Sequence, residues 1–215
     1  MRSSRLKVAA LALGLALVSA PGWAVFDDPT KAPDQKDAAP ANPEAATALN
    51  AALDAVKEAD AAAGAAPGSL PAAAKNAYEK ARTSFSAATK ADPKLAQAWN
   101  GIGYSSRKLG DYKAALAAYD KALELRAGYP EATEYRGEAY LALDRPEDAK
   151  QAYLDLFAAN RELAGKLLES MKKWAAMPGK KKDDVADLGD FIKERAQIAA
   201  QTASLTRESA AQGWN

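Results

Sequence analysis

Residues 96–129 read AQAWNGIGYSSRKLGDYKAALAAYDKALELRAGY, and residues 130–163 repeat the arrangement as PEATEYRGEAYLALDRPEDAKQAYLDLFAANREL. Each stretch holds two segments of helical periodicity joined by a very short turn. The spacing predicts helices over about 95–109, 111–126, 130–143 and 146–159. Gly110 supplies a C-terminal stop, Asp111 a side chain able to cap the next helix, and Pro146 a residue suited to a first helical turn. Turns this short force neighbouring helices to run antiparallel, so the chain is expected to fold as a row of helical hairpins.

The register extends backwards. Phe85, Tyr119 and Tyr153 recur at the same interval (119 − 85 = 153 − 119 = 34), as do Ala81, Ala115 and Ala149, while Ala88 aligns with Ala122 and Leu156, and Gly103 with Gly137. A two-helix unit of this period resembles the tetratricopeptide repeat. One unit, starting at Ala96, supplies Trp99, Ile102, Gly103, Ala115, Tyr119 and Ala122; the next, starting at Pro130, supplies Gly137, Tyr140, Ala149 and Tyr153. The resemblance is clearest over 71–160. Thr133 departs from it by standing where an aromatic is usual, and Arg126-Ala127 by replacing the Asp-Pro that survives at Asp92-Pro93. It implies an all-α fold: a right-handed superhelical solenoid of antiparallel hairpins over 44–177. Small residues such as Gly103 with Ala115, or Gly137 with Ala149, would let the two helices of a hairpin approach. Tyr119 and Tyr153 would fill the gap to the following hairpin.

On either side the pattern loosens. Leu49, Leu53, Val56 and Ala63 fall on one face of a helix from Glu44, and a second helix from Pro71 carries Tyr78, Ala81, Phe85 and Ala88. The APGSLP stretch between them makes 44–91 an atypical repeat or a helical cap. Beyond residue 160, Leu167, Met171 and Trp174 offer one more first helix. A linker at Pro178, Gly179 and Lys180 to Lys182 leads to a final helix over 183–211, with Val185, Leu188, Ile192, Ile198 and Leu205 at helical spacing. That region, 178–215, is expected to cap the exposed end of the stack, although the same helix could instead lie in the groove.

The first residues place Arg2, Arg5 and Lys7 before an apolar run from Val8 to Val18 and small residues after it. This order is that of a secretory signal peptide over 1–24, cleaved after Ala24, with an apolar run well short of the roughly 20 residues of a spanning helix. Residues 25–43, rich in Pro and Ala, read as a disordered tether. The expected location is periplasmic or secreted. Removing three leader cations turns the formal charge of +1 into 1 − 3 = −2, too little to draw nucleic acid or anionic lipid over a distance.

The sequence contains no His and no Cys. The usual zinc, copper and haem ligand sets are therefore missing, as is the commonest general base near neutral pH. No cofactor, no metal and no catalytic set is expected. Asp183, Asp184, Asp187 and Asp190 read as a helix N-terminus and its solvated face, Lys180 to Lys182 as a solvated turn, and Trp99 and Trp174 as core. The place of Trp214 is left open.

The resemblance implies that partners bind on the concave face, through the first helix of each repeat. Carried over residue by residue, the contact positions are Gln97, Asn100, Tyr104 and Arg107, then Glu131, Glu134 and Glu138, with Lys172 in the incomplete last unit. A polar, aromatic and cationic wall would face an acidic one. Such a groove suits a protein or peptide partner in the cell envelope carrying both signs of charge, or a Lys or Arg against Glu134 and Glu138. The implied function is a non-enzymatic interaction module, an adaptor or scaffold. The alternative is a structural, self-assembling protein that stacks through its solenoid ends as a homo-oligomer.

Overall fold

The computed structural model describes residue 40, residues 42–64 and residues 70–211. The leader at 1–24, all but the end of the tether at 25–43, and Trp214 lie outside the described residues. Eight helices follow one another: α1 (Pro43–Ala63), α2 (Ala72–Ala91), α3 (Ala96–Lys108), α4 (Tyr112–Leu125), α5 (Pro130–Ala142), α6 (Pro146–Ala159), α7 (Arg161–Ala175) and α8 (Lys182–Ala211). No strand occurs among the described residues.

The helix ends follow from local chemistry. Asn42, Asp111 and Asn160 accept hydrogen bonds from the first free backbone N–H groups of α1, α4 and α7. Pro43, Pro130 and Pro146 occupy first turns, where a missing N–H costs nothing. The turns after α3 and α5 are built alike. Gly110 (φ 82°) and Asp144 (φ 55°) both take the left-handed conformation, one repeat apart. The residue after each donates its N–H back into the helix, Asp111 to Ser106 at 2.9 Å and Arg145 to Tyr140 at 2.9 Å. Asp144 is a non-glycine residue in a conformation that suits glycine. Its carboxylate compensates by accepting from Trp174 Nε1 at 3.1 Å and from Lys180. Lys180 also lies over the Trp174 ring, 4.9 Å from its centroid. The expected solvated lysine turn is thus corrected at Lys180, which ties the α7–α8 linker back to the α5–α6 turn.

Consecutive helices pack as antiparallel pairs, and the pairs stack as a solenoid of tetratricopeptide type. α1 and α2, both long, pack against each other as a hairpin, and most of the APGSLP stretch lies outside the described residues. The odd-numbered helices adjoin in series, α1 to α3, α3 to α5 and α5 to α7, whereas α2, α4 and α6 are spaced apart on the other side. The stack therefore curves with α1, α3, α5 and α7 on its inside.

Close approach depends on glycine. A Cβ at Gly103 would lie 2.4 Å from the Tyr119 ring of its own hairpin, and one at Gly101 would lie 2.3 Å from the ring of Phe85 on the preceding hairpin. Gly137 makes room differently from the expectation. Its missing Cβ is replaced by Leu167 of the following hairpin, 2.6 Å from where a Cβ would stand, and not by α6. The α5–α7 contact explains the change, because α7 crosses closely over α5.

The last helix begins at Lys182 and rests on α6 and α7. Leu188 is fully buried there, with Val185, Phe191 and Ile192 packed beside it against Tyr153 and Trp174. Trp174 is core, as expected, while Trp99 is only half-buried and donates its indole N–H to the Pro93 carbonyl at 2.9 Å. Asp187 on α8 pairs with Lys150 on α6.

Candidate functional site

The inner helix layer carries a continuous run of polar and aromatic side chains. At the α1 end, Asp60 accepts hydrogen bonds from the hydroxyl of Tyr78 on α2 and from that of Tyr104 on α3, at 2.8 Å for the latter. Burial, reinforced by the Asp60 carboxylate, pushes both hydroxyls well above the usual tyrosine range, so both remain donors at any ordinary pH. The Tyr104 ring packs against Tyr135 of α5, with centroids 5.2 Å apart. The Arg107 guanidinium lies over both rings, 5.5 Å from Tyr104 and 5.1 Å from Tyr135, and ion-pairs with Glu138 of α5. Glu138 also accepts from the Ser170 hydroxyl of α7 at 2.8 Å. One chain of contacts thus links α1, α2, α3, α5 and α7.

The sequence-predicted residues fall on this layer but not as free side chains in a groove. Asn100 is 0% exposed and donates its amide N–H to the Tyr129 hydroxyl at a long 3.4 Å. Gln97, Tyr104 and Glu134 are also buried. Arg107 and Glu138, expected on opposite walls, meet each other. Glu131 is half-buried; Lys172 is exposed and pairs with its own-helix neighbour Glu169 at 2.6 Å. The structure therefore brings Tyr104, Arg107 and Glu138 into direct contact and leaves Lys172 apart.

Sequence reasoning missed Asp60, Tyr78, Tyr135, Lys108 and Ser170. Tyr135 directly follows Glu134 and is turned about 100° from it on the helix, so the period alone did not mark it. Asp60 could not have been placed, because α1 precedes the clear register. Lys108 lies over the rings of Tyr78 and Tyr104, 5.8 Å and 5.5 Å from their centroids, and sets a second cation beside Arg107.

Glu134 is the electrostatic exception of the layer. It is 5% exposed. Burial pushes its carboxyl up to about 8, with Glu138 and Glu131 adding to the rise and Arg107 and Lys166 opposing it. The described residues contain no group of carboxylates placed to hold a metal ion, and no described helix is long and apolar enough to cross a membrane.

Antiparallel hairpins, stacked so that their first helices line one curved face, define a helical-repeat interaction protein. The tetratricopeptide repeat family profile matches residues 72–130 and again residues 105–164, two overlapping windows covering the hairpins described above. Residues 72–164 are thus tetratricopeptide repeats, and these repeats support a protein–protein interaction module. No curated protein matches the chain.

Proposed function

We propose that this protein is a non-enzymatic adaptor of the bacterial periplasm that holds a peptide or helix of a partner protein along its α1–α3–α5–α7 face. The observation that carries the reading is the chemistry of that face. Three carboxylates, Glu131, Glu134 and Glu138, follow one another on successive turns of α5 beside Tyr104, Arg107 and Lys108 of α3. Helix and extended-segment recognition on such surfaces needs alternating apolar rings and fixed charges, which this layer provides. The sequence has neither His nor Cys, so the commonest general base and the thiol nucleophile are both missing, which supports a binding role over a catalytic one. The cationic, apolar and small-residue order of residues 2–24 supports export and cleavage after Ala24.

Site-specific photo-crosslinking tests the reading. A photoreactive phenylalanine analogue replaces Glu131 or Lys172 on the inner layer, and in separate proteins the exposed Lys113 of α4 or Gln151 of α6. A partner captured in the periplasmic fraction from positions 131 and 172 but not from 113 and 151 is the expected result. Capture from the outer positions alone would overturn the inner-face reading, and self-crosslinks alone would replace it by self-assembly. Amino-terminal sequencing of the purified protein should begin at Val25; an intact leader would overturn the periplasmic assignment.

A further inference from the structure

The last helix is long but little buried. Among the described side chains of α8, Leu188 alone is fully buried, with Val185, Phe191 and Ile192 partly covered beside it. Helices in water owe most of their stability to an apolar face packed on a neighbour, so a 30-residue helix anchored by so little needs other contacts to stay docked.

It has two, and they share one design. On one side, Lys180 of the linker lies over the Trp174 ring, 4.9 Å from its centroid, and pairs with Asp144 of the α5–α6 turn. On the other, Lys150 of α6 lies 5.7 Å from the ring centroid of Phe191 on α8 and pairs with Asp187 of α8 and with Glu147 of its own helix. The two lysine side chains are only 17% and 13% exposed, whereas Asp144 and Asp187 are 61% and 63% exposed. Each clamp therefore joins a sheltered ammonium on a ring to a carboxylate open to solvent. Hydrogen bonds from these lysines hold both carboxyls below the usual carboxylate range.

The first clamp displaces a simpler turn. The preceding repeat has Gly110 at the position of Asp144 (144 − 110 = 34), and both residues take the left-handed conformation. A glycine holds such a turn without strain, so the aspartate gives up backbone ease for its carboxylate. That carboxylate also accepts from Trp174 Nε1 at 3.1 Å.

We propose that α8 is a salt-sensitive strap: two lysine–ring–aspartate clamps hold it over the end of the stack, and screening them releases it while the hairpins beneath stay folded. Dissolved ions reach these pairs because the aspartates meet solvent. The apolar contact of Leu188 is not electrostatic and is left unscreened. Released, α8 uncovers the α6–α7 face around Tyr153, Met171 and Trp174. Ionic strength then sets how often that end of the stack stands open.

Hydrogen exchange of the full chain, followed from about 0.02 M to about 0.5 M NaCl, tests the strap. Amides of residues 185–195 should lose protection by roughly fivefold, the modest factor that two partly exposed ion pairs allow, while those of α3 to α5 keep theirs. Lys150→Met combined with Lys180→Met leaves an apolar stem on each ring and no charge. In that variant, protection over 185–195 should no longer change with salt. If the variant fails to fold, seen as lost protection in α3 to α5, the titration of the unaltered chain decides by itself. No loosening of α8 by salt, equal loosening of α8 and α3 to α5, or a salt response that persists in the folded double variant would each overturn the proposal.

Discussion

At Gly101 and Gly103 the α3 backbone approaches aromatic rings so closely that a single methyl group has nowhere to go. Phe85 and Tyr119 are fully buried and cannot swing aside without disturbing their own neighbours. Gly101→Ala and Gly103→Ala should each destabilise by about 1–3 kcal/mol, the usual cost of overpacking, despite the better helix propensity of Ala. Gly165 on α7 is the control, since a Cβ there meets nothing within 4 Å. Gly165→Ala should stabilise by about 0.5–1 kcal/mol, and urea unfolding of the three variants decides the matter. Glu134 makes a second prediction at this scale. Its folded carboxyl titrates at about 8 against an ordinary 4.5. A raised folded value means its contribution to stability is fully present below about 4.5 and is lost as pH rises through about 8. Glu134→Gln should therefore be more stable than wild type at pH 9 and lose the advantage at pH 5. Equal effects at both values would contradict the buried placement.

Among the helices, α8 depends most on tertiary contacts. It is the longest, 30 residues, and Leu188 in its first half enters the cluster around Tyr153, Leu167 and Trp174. Removing buried atoms from a site that cannot fully collapse costs both transfer energy and a cavity. Leu188→Ala should cost about 2–4 kcal/mol, whereas Leu154→Ala on the exposed side of α6, at 40% exposure, should cost under about 0.5 kcal/mol. Hydrogen exchange should show the Leu188 variant losing protection in α7 and α8 first. Uniform loss across α3 to α8 would mean the stack end is not an independent unit. The Asp144–Lys180 and Lys150–Asp187 pairs add little energy at the surface, but they fix the direction in which α8 leaves the linker.

For the whole molecule, the inner polar chain does what a shared core does in a compact domain. Repeat proteins are held by nearest-neighbour interfaces, so each hairpin feels only the next. Here Glu138 joins three hairpins at once, pairing with Arg107 behind it and accepting from Ser170 ahead of it. Removing one partner of a mostly buried pair leaves the other uncompensated. Glu138→Ala should cost about 2–3 kcal/mol and reduce unfolding cooperativity, read as probe-dependent midpoints for Trp99 and Trp174 fluorescence. A double-mutant cycle with Arg107→Ala should give a coupling of at least about 1 kcal/mol. Additive effects would show that the pair is incidental.

The sequence by itself determined the helices, their turns and their repeat. These depend on local chemistry, on apolar period, capping side chains and left-handed stops, and all of that is written within a few residues of where it acts. Asp111, Pro146 and Gly110 are legible in this way. Only the tertiary structure decided what the inner-layer side chains do. Arg107 and Glu138 sit 31 positions apart (138 − 107 = 31) and Tyr104 lies 44 from Asp60 (104 − 60 = 44), so nothing local announces that they meet. Gly137 receives Leu167 rather than its own hairpin because α7 crosses α5, a matter of packing angle rather than pattern. The contact positions that the resemblance implied were expected in water, but burial, set by neighbours distant in sequence, ties Tyr104, Arg107 and Glu138 to one another within the stack.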